Sequence, residues 1–482
     1  MNDTICALAT PQGGAISVVR ISGPKAIEYT SHIFTPRKGQ PLASRKSHTA
    51  VFGDVCVTPC ELLDEVLVTV MRAPHTYTGE DVVEISCHAS SYITQQLMLA
   101  LLALGARQAD PGEFTMRAFL NGKMDLSRAE AVADLIASSS KASHRLAMNQ
   151  LKGDFSNELA ALRNKLLKLT TLMELELDFS EEDVTFADRS ELMQLCDEID
   201  GVMTRLTDSF AVGNAVKNGV PVAIVGETNA GKSTLLNALL GEDRAIVSDV
   251  HGTTRDTIEE TMNIDGVLFR FIDTAGLRET SEVVEKIGIE RTFKKISEAS
   301  IVLGMVDLTR DFETTCETVR KIMEKVDFTS QKLIILLNKV DISNINKNVS
   351  IENFIVSEID NKYIRTQTGK NNADDANSPS IIRISAKTGE GIDRLRAVLA
   401  DSQRDILADS DTTLVTNQRH IQALSDSRTS LLRVREGLAS CLPTDLASQD
   451  IREAIYHLGS IVGEISTDEV LGNIFANFCI GK

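Results

Sequence analysis

One glycine-rich segment limits the possible fold of this chain more than any other feature. Residues 226–233 read GETNAGKS, follow the apolar run 222–225 and precede a run with helical periodicity. In this setting the glycines let backbone N–H groups turn toward phosphate oxygens at the N-terminus of a helix. The segment predicts a phosphate loop, in which Lys232 contacts the β- and γ-phosphates and the Ser233 hydroxyl binds Mg²⁺.

The chain that surrounds this loop alternates between strand-like and helical segments. The strand-like runs are 222–225, 268–272, 301–306, 332–337 and 381–384. Such alternation predicts a mostly parallel α/β sheet. The polar, Asn-rich stretch 343–380 has few apolar residues, and we interpret at least its second half as a surface insertion.

Proline placement divides the rest of the chain. Seven of the ten prolines lie at or before Pro111, and the next is Pro221, which favours helices between them. After about residue 400 helical periodicity returns, interrupted at Pro443, so the two helical stretches are expected to form one discontinuous domain. One face of a single long helix is predicted to carry Leu151, Phe155, Leu159, Leu162, Leu166, Leu169 and Met173.

The segment before Pro111 has a different pattern. Short β-branched runs at 15–21, 65–71 and 81–86 are separated by turn residues, and a helical run covers 95–104. We therefore predict an α+β N-terminal domain. The predicted bounds are 1–120 for this domain, 121–217 for the first helical segment, 218–400 for the α/β domain and 401–482 for the second helical segment.

Charge and composition exclude several classes of protein. The net charge of −18 argues against a protein that coats nucleic acid by charge alone. The chain has no long apolar run and no signal-peptide pattern, so we expect a cytoplasmic protein without a membrane span. Its eight cysteines are sparse and are interpreted as reduced thiols.

Two further segments suit a nucleotide site that responds to the γ-phosphate. Residues 273–276 (DTAG) end a strand, where a carboxylate can hold a Mg²⁺ water and a glycine N–H can meet the γ-phosphate. Residues 252–256 (GTTRD) include Thr254, which can complete the Mg²⁺ shell when the γ-phosphate is present. Both segments are candidate switches.

The segment Asn338, Lys339, Val340 and Asp341 predicts which nucleotide base the site binds. A carboxylate at the end of this strand can accept hydrogen bonds from N1–H and the 2-amino group of guanine, which adenine cannot offer. The residues that can close over the base are Ser385, Ala386 and Lys387. GTP is therefore the predicted substrate.

The hydrolytic water lacks an obvious partner. Leu277 occupies the position at which Ras-like proteins carry the glutamine that orients this water. The residues leave three possibilities open: a carboxylate such as Glu279, Glu282 or Glu285, a monovalent cation, or a group supplied by a partner.

Beyond these motifs, the chain closely resembles the MnmE (TrmE) family of tRNA modification GTPases over nearly its whole length. The most specific segments are 77–84 (YTGEDVVE), 111–114 (PGEF), 117–123 (RAFLNGK) and 478–482 (FCIGK). The resemblance implies an N-terminal domain that binds tetrahydrofolate and mediates dimerisation, a helical domain in two segments, and an inserted Ras-like GTPase domain.

The resemblance also implies an activity and its partners. K⁺-stimulated hydrolysis of GTP to GDP and phosphate would accompany modification of C5 of the tRNA wobble uridine to a (carboxymethyl)aminomethyl-type group. A homodimer would act in a heterotetramer with a FAD-dependent enzyme of the MnmG (GidA) type, using 5-formyl- or methylene-tetrahydrofolate as the one-carbon source. The alternative is a GTP-switched ribosome-assembly factor without covalent chemistry.

Residue roles follow from the same resemblance. Glu285 would orient the attacking water, and Cys479 would act near the folate. The folate contacts would be Arg20, Glu84, Lys123 and Lys482, and the K⁺ ligands Asn229, Ser248, Val250 and Thr253. The residues predicted to bind GTP are Asn229, Ala230, Gly231, Lys232, Ser233, Thr234, Ser248, Asp249, Val250, His251, Gly252, Thr253, Thr254, Asp273, Thr274, Ala275, Gly276, Asn338, Lys339, Asp341, Ser385, Ala386 and Lys387.

Three positions depart from the usual family pattern. Thr228 occupies a phosphate-loop position that is commonly Pro, so the loop is expected to be less preordered. Ala89 and Ser90 stand where two glycines are common, which either narrows the space beside the folate or has no effect if neither position needs positive φ.

Overall fold

The computed structural model describes thirteen segments of the chain. These are residues 3–11, 13–58, 61–178, 189–241, 260–272, 296–343, 345–366, 379–403, 413–440, 444–464, 468–476, 478–479 and 481. The chain divides into two compact units. The first unit contains Met1–Ala137, Ala147–Thr207 and Gln418–Lys482, and the second contains Ser138–Leu146 and Asp208–Asn417.

Strands and helices are numbered along the described segments. The strands are β1 (Ile5–Leu8), β2 (Ile16–Ser22), β3 (Phe34–Pro36), β4 (Thr49–Thr58), β5 (Glu61–Met71), β6 (Val82–His88), β7 (Arg107–Gln108), β8 (Val220–Gly226), β9 (Glu260–Ile264), β10 (Val267–Phe271), β11 (Ile301–Asp307), β12 (Lys332–Asn338) and β13 (Ser380–Arg383). The helices are α1 (Ala26–Ile33), α2 (Ser91–Ala103), α3 (Glu113–Leu120), α4 (Leu126–Ala137), α5 (Lys141–Lys152), α6 (Asp154–Asp178), α7 (Arg189–Asp208), α8 (Phe210–Asn218), α9 (Lys232–Leu240), α10 (Phe312–Lys325), α11 (Ile345–Thr366), α12 (Ile392–Asp401), α13 (Gln418–Ala439), α14 (Thr444–Val462) and α15 (Asp468–Phe475). Short 3₁₀ helices cover Leu42–Ser44 and Val340–Ile342.

The N-terminal part of the first unit is built on a mixed sheet. Its strand order is β3-β4-β5-β6-β2-β1-β7, antiparallel except for the parallel pair β1 and β7. Alternate residues of the strands, such as Val66, Val68 and Val70 on β5, are buried in one apolar core. The core also contains Leu97 and Leu101 of α2, so this helix covers one face of the sheet.

The helical part of the first unit corrects one prediction. The leucine stripe does not belong to one helix, because α5 ends at Lys152 and α6 begins at Asp154. Gly153 has φ of +100°, and its N–H donates to the carbonyls of Asn149 and Gln150, which closes α5. Leu151 therefore lies in α5, whereas the other stripe residues lie in α6 and are buried.

The second unit is an α/β layer structure. Its sheet has the order β13-β12-β11-β8-β10-β9, and all neighbouring pairs are parallel except β9 and β10. Apolar residues of α9 and α12 pack on one face, and those of α10 and α11 pack on the other. The carboxyl ends of β8, β11, β12 and β13 therefore share one edge, where ligands of such sheets bind.

Two apolar residues anchor the first half of the Asn-rich stretch. Ile351 and Ile355 of α11 are fully buried against the second sheet, so the first half of the stretch is a packed helix. Residues 367–378 lie outside the described residues.

The fold class predicted from the sequence is confirmed: an α+β N-terminal part, a discontinuous set of helices and an α/β part. The four domain bounds stay predictions. Within the described segments, none of the helices combines the length and apolar character needed to cross a membrane.

Candidate functional site

The predicted phosphate loop joins β8 to α9. Gly226 ends β8, Gly231 is the residue before α9, and Asn229 between them has φ of +64°. A Cβ atom on Gly226 would lie 2.4 Å from the Met305 carbonyl oxygen. A Cβ atom on Gly231, where φ is +102°, would lie 2.4 Å from Nδ2 of Asn338. Both glycines are thus required by close approach as well as by backbone conformation.

Lys232 is the first residue of α9 and folds back along the loop. Its Nζ donates hydrogen bonds of 2.8 and 2.7 Å to the carbonyls of Gly226 and Glu227. Ser233 and Thr234 are exposed in the first turn of α9, where the helix dipole favours anions. The loop can therefore offer an ammonium group, hydroxyls and a helix N-terminus to a phosphate.

Asn338 connects the phosphate loop to the predicted base-binding loops. It ends β12, its side chain is buried, and its Nδ2 donates a 2.7 Å hydrogen bond to the Ala230 carbonyl. Its Oδ1 accepts a 3.0 Å bond from the backbone N–H of Ala386. Because one amide bonds both loops, it fixes the distance between them.

The remaining base-binding candidates lie at the same edge. Asp341 is exposed in the short helix Val340–Ile342. Ser385 is fully buried; its backbone N–H donates to the Glu390 carbonyl, and its own carbonyl accepts from Gly389 N–H, both at 2.9 Å. These bonds tighten the loop that carries Ala386 and the exposed Lys387.

Asp307 also lies at this edge of the sheet and was not predicted from the sequence. It ends β11, pairs in register with Asn338, and accepts a 2.6 Å hydrogen bond from Nζ of Lys339. Burial raises the pKa of Asp307, but the bonds from Lys339 and Thr309 outweigh it, so the pKa lies below its ordinary value. The signal was available, because adjacent parallel strands that end in Asp and in Asn-Lys bring these side chains together.

Several predicted site residues lie outside the described residues. They are Ser248, Asp249, Val250, His251, Gly252, Thr253, Thr254, Asp273, Thr274, Ala275, Gly276, Glu285 and Lys482.

A second candidate site lies on the first unit, around Arg20 and Glu84. These residues face each other in register on β2 and β6. Nε and a terminal nitrogen of Arg20 lie 2.9 and 2.8 Å from the same oxygen, Oε1 of Glu84. The Arg20 guanidinium also lies 5.8 Å from the ring centre of Tyr77 and 5.7 Å from that of Phe114. The pair is half-buried and held by charge and by aromatic contact.

The C-terminal segment docks beside this pair. Arg20 donates a 3.1 Å hydrogen bond to the Gly481 carbonyl, and Gly112 N–H lies 3.4 Å from the Cys479 carbonyl oxygen. Gly481 has φ of +95°, and a Cβ there would lie 2.6 Å from the Leu8 carbonyl oxygen. The structure thus brings Arg20, Glu84 and the backbone beside the exposed Cys479 together.

Lys123, the other described folate candidate, has a different partner. Its side chain is exposed, and Nζ donates a 2.9 Å bond to the Pro74 carbonyl rather than to the Glu84 carboxylate. Ser90 has φ of −73°, and Ala89 is not among the described residues with positive φ. Neither of these two positions therefore needs glycine for its backbone conformation.

A buried charge network that was not predicted includes Glu113, the residue before Phe114 of this site. Arg117 is only 1% exposed and bonds Glu80, Glu113 and Asp3. Burial raises the pKa of Glu113, but the hydrogen bond from Arg107 and further bonds outweigh it and lower the pKa. The four-residue spacing of Glu113 and Arg117 on α3 was a detectable signal.

Comparison with known proteins establishes the family to which this chain belongs. Residues 126–479 match the family model of the MnmE helical domain, and residues 4–123 match that of the GTP-binding protein TrmE N-terminus. A tRNA modification GTPase MnmE from Bacteroides fragilis is 53% identical over 481 residues, covering 100% of this chain and 99% of that protein. This chain belongs to the MnmE family of tRNA modification GTPases. The MnmE of Bacteroides thetaiotaomicron is likewise 53% identical over 481 residues, with the same coverage.

Membership of the MnmE family confirms the resemblance and the enzyme class, a GTP hydrolase of tRNA modification, predicted from the sequence. Among solved structures, Aquifex aeolicus Era bound to GDP and aluminium fluoride is 25% identical. That alignment covers 44% of this chain and 66% of Era, with a TM-score of 0.26.

Proposed function

We propose that this chain is a K⁺-stimulated GTPase that, with a FAD-dependent partner of the MnmG (GidA) type, modifies C5 of the wobble uridine of certain tRNAs in the cytoplasm. Membership of the MnmE family supports the reaction class. Nucleotide binding is supported best by the Asn338 amide, which bonds Ala230 of the phosphate loop and Ala386 of the base loop. This arrangement suits a purine nucleotide whose phosphates and base are held at opposite ends.

In this proposal the described residues bind the nucleotide as follows. Lys232 and the N-terminus of α9 bind the phosphates, and the Asp341 carboxylate accepts hydrogen bonds from guanine. The Ser233 hydroxyl, exposed in the first turn of α9, is an oxygen ligand of the kind that Mg²⁺ prefers, and Thr254 would be another. Glu285 would orient the attacking water.

A monovalent cation fits the phosphate loop. Asn229 is exposed, and its side chain carries an amide oxygen of the kind that binds such cations. Ser248, Val250 and Thr253 would complete the K⁺ ligands. When bound, K⁺ would supply positive charge beside the β- and γ-phosphates, where arginine fingers act in other GTPases.

The Arg20 and Glu84 pair fits the pterin end of a folate. Arg20 engages only Oε1 of Glu84, so within the described contacts Oε2 remains an acceptor for the N–H edge of a pterin. Arg20, Lys123 and Lys482 would add positive charge for the carboxylates of the glutamate tail. The folate would be 5-formyl- or methylene-tetrahydrofolate, with Cys479 acting nearby.

The resemblance to the MnmE family implies the proposed assembly, and the charge of the chain is compatible with it. A chain of net charge −18 has little general attraction for tRNA, so a homodimer joined to the flavoprotein in a heterotetramer would offer tRNA a composite surface.

The wobble nucleoside tests the proposed reaction. In a deletion strain, mass spectrometry of tRNA nucleosides should show loss of the C5-modified wobble uridine, and the parent gene should restore it. Unchanged wobble uridine in the deletion strain would contradict the reaction and favour an assembly factor.

Folate binding is tested separately by titration calorimetry with 5-formyl-tetrahydrofolate. Glu84→Gln should weaken binding by about tenfold, because it converts a charged acceptor into a neutral amide. Glu65→Gln is the matched control, since Glu65 is an exposed carboxylate of the same sheet that bonds Arg37. Equal affinities in the two variants would contradict the pterin contact.

A further inference from the structure

The phosphate loop contains a tight turn whose second residue is Thr228. The Glu227 carbonyl accepts a 3.3 Å hydrogen bond from Ala230 N–H, so Thr228 and Asn229 are the central residues of a four-residue turn. Asn229, the third residue, has φ of +64°. Turns with positive φ at the third residue favour proline at the second, because proline fixes φ near the required value. Thr228 does not restrict the backbone in this way, so the turn needs another source of order.

That source is the side chain of the first turn residue, Glu227. Its Oε1 accepts a hydrogen bond from Oγ1 of Thr318, which is buried in the middle of α10. The same hydroxyl lies 2.9 Å from the Thr314 carbonyl, but it has one proton and a carboxylate is the stronger acceptor.

The Thr318 end of this bond lies on a helix that is anchored in the core of the second unit, and the Glu227 end lies at the start of the turn. On α10, Val319 next to Thr318 and Ile322 one turn later are buried in the apolar core. On the loop, the Glu227 carbonyl also accepts the 2.7 Å bond from Nζ of Lys232. Glu227 is therefore held through its side chain and its backbone at the start of the turn.

We propose that Glu227 and Thr318 are positioning residues that fix the phosphate-loop turn presenting Asn229, in place of a rigid residue at position 228. The proposal rests on the proposed function in one respect, which is that Asn229 binds a cation. The ordering of the turn is a property of the chain itself and has its own readout.

Residues of the same chain supply a matched control and a rescue. Thr315 is a buried threonine of α10 whose hydroxyl makes the same helix bond, 2.8 Å to the Asp311 carbonyl, without a described bond to the loop. Thr318→Val and Thr315→Val therefore remove the same group from the same helix. Thr228→Pro supplies the missing restriction, and no described backbone hydrogen bond uses the Thr228 N–H.

Amide hydrogen exchange of the full chain tests the proposal. Exchange in a peptide spanning residues 227–231 should be about fivefold faster in Thr318→Val than in the parent, which corresponds to the loss of one net hydrogen bond. Glu227→Gln should have a smaller effect in the same direction, and Thr315→Val should have none. Adding Thr228→Pro to Thr318→Val should restore slow exchange.

Two exchange results would overturn the proposal. One is equal exchange in Thr318→Val and Thr315→Val, which would show that Thr318 acts only through its helix. The other is failure of Thr228→Pro to slow exchange in the Thr318→Val background, which would show that turn rigidity is not what Thr318 supplies.

GTP hydrolysis separates this proposal from the proposed function. With a K⁺-stimulated parent, Thr318→Val should raise the half-activating K⁺ concentration by about fivefold and change GDP affinity by less than about twofold. A parent without K⁺ stimulation would contradict the proposed function, and the exchange rates would still decide whether Glu227 and Thr318 order the turn.

Discussion

Asn338 donates a 2.7 Å hydrogen bond from its side-chain amide to the backbone carbonyl of Ala230. Asn338 ends β12 and Ala230 follows β8, and these strands are not neighbours in the sheet, because β11 lies between them. The bond therefore spans the carboxyl end of β11, and Gly231 leaves the space through which the amide reaches the loop. The phosphate loop and the base loops consequently behave as one site.

Asn338→Asp tests this coupling with little change in size. The substitution replaces the Nδ2 donor with an oxygen that faces the Ala230 carbonyl, so a favourable bond becomes a repulsive contact. GDP affinity, measured with a fluorescent GDP analogue, should fall by about 10- to 100-fold. Asn218→Asp is the control, since Asn218 is exposed and bonds only Asn214 in the described contacts. Unchanged affinity in Asn338→Asp would show that the loops are positioned independently.

A buried ion cluster in the helical part predicts acid sensitivity of the first unit. Glu130 on α4 accepts hydrogen bonds from Arg419 and, at 2.6 Å, from His420, both on α13. Burial raises the pKa of Glu130, but the charges and hydrogen bonds of His420 and Arg419 outweigh it and lower the pKa to about 2. Because the folded pKa is below the unfolded value, ionised Glu130 stabilises the fold above about pH 4.5, and this is lost as pH falls toward about 2.

Glu130→Gln should lower the free energy of unfolding near neutral pH by about 3 kcal/mol and flatten its decline between about pH 4.5 and pH 2. Denaturant unfolding at a series of pH values measures both effects. Glu198→Gln removes an exposed carboxylate that bonds Lys165, and its effect should stay below about 1 kcal/mol. A decline as steep in Glu130→Gln as in the parent would assign the acid sensitivity to other groups.

The cysteines are expected to differ sharply in reactivity. Burial raises the pKa of the Cys6, Cys87 and Cys196 thiols to about 11, whereas Cys479 is exposed. Iodoacetamide near neutral pH should therefore alkylate Cys479 at least about tenfold faster than these three thiols. Mass spectrometry of timed digests resolves each site, and prior unfolding should abolish the difference. Comparable rates in the folded chain would mean that the cores around the three thiols open readily.

Prediction from the sequence was most accurate where a local residue pattern determines the local structure. The apolar runs and the glycine pattern at 226–233 predicted the second sheet and its loop, because strand burial and positive φ depend on local sequence. The prediction of one long helix was wrong only at Gly153. The apolar periodicity of the sequence continues across this residue, although the helix ends there.

Hydrogen-bonded residues that lie far apart in the sequence could not be paired from local patterns. Arg20 bonds Gly481, Glu227 bonds Thr318 and Glu130 bonds His420, and each pair is brought together only by the tertiary fold. A sequence can indicate that a residue is charged, but its partner follows from topology. Asn338, whose amide bonds the phosphate loop, also belongs to this class, although the motif that contains it was visible.

Steady-state GTP hydrolysis in K⁺ and in Na⁺ at matched ionic strength, with Asn229→Ala measured alongside the parent, tests the cation-stimulated GTPase most directly. We expect K⁺ to stimulate the parent strongly and this stimulation to be lost in Asn229→Ala, because the substitution removes the amide oxygen presented by the loop. Equal rates of the parent in both salts would contradict the role of the cation while leaving GTP binding intact.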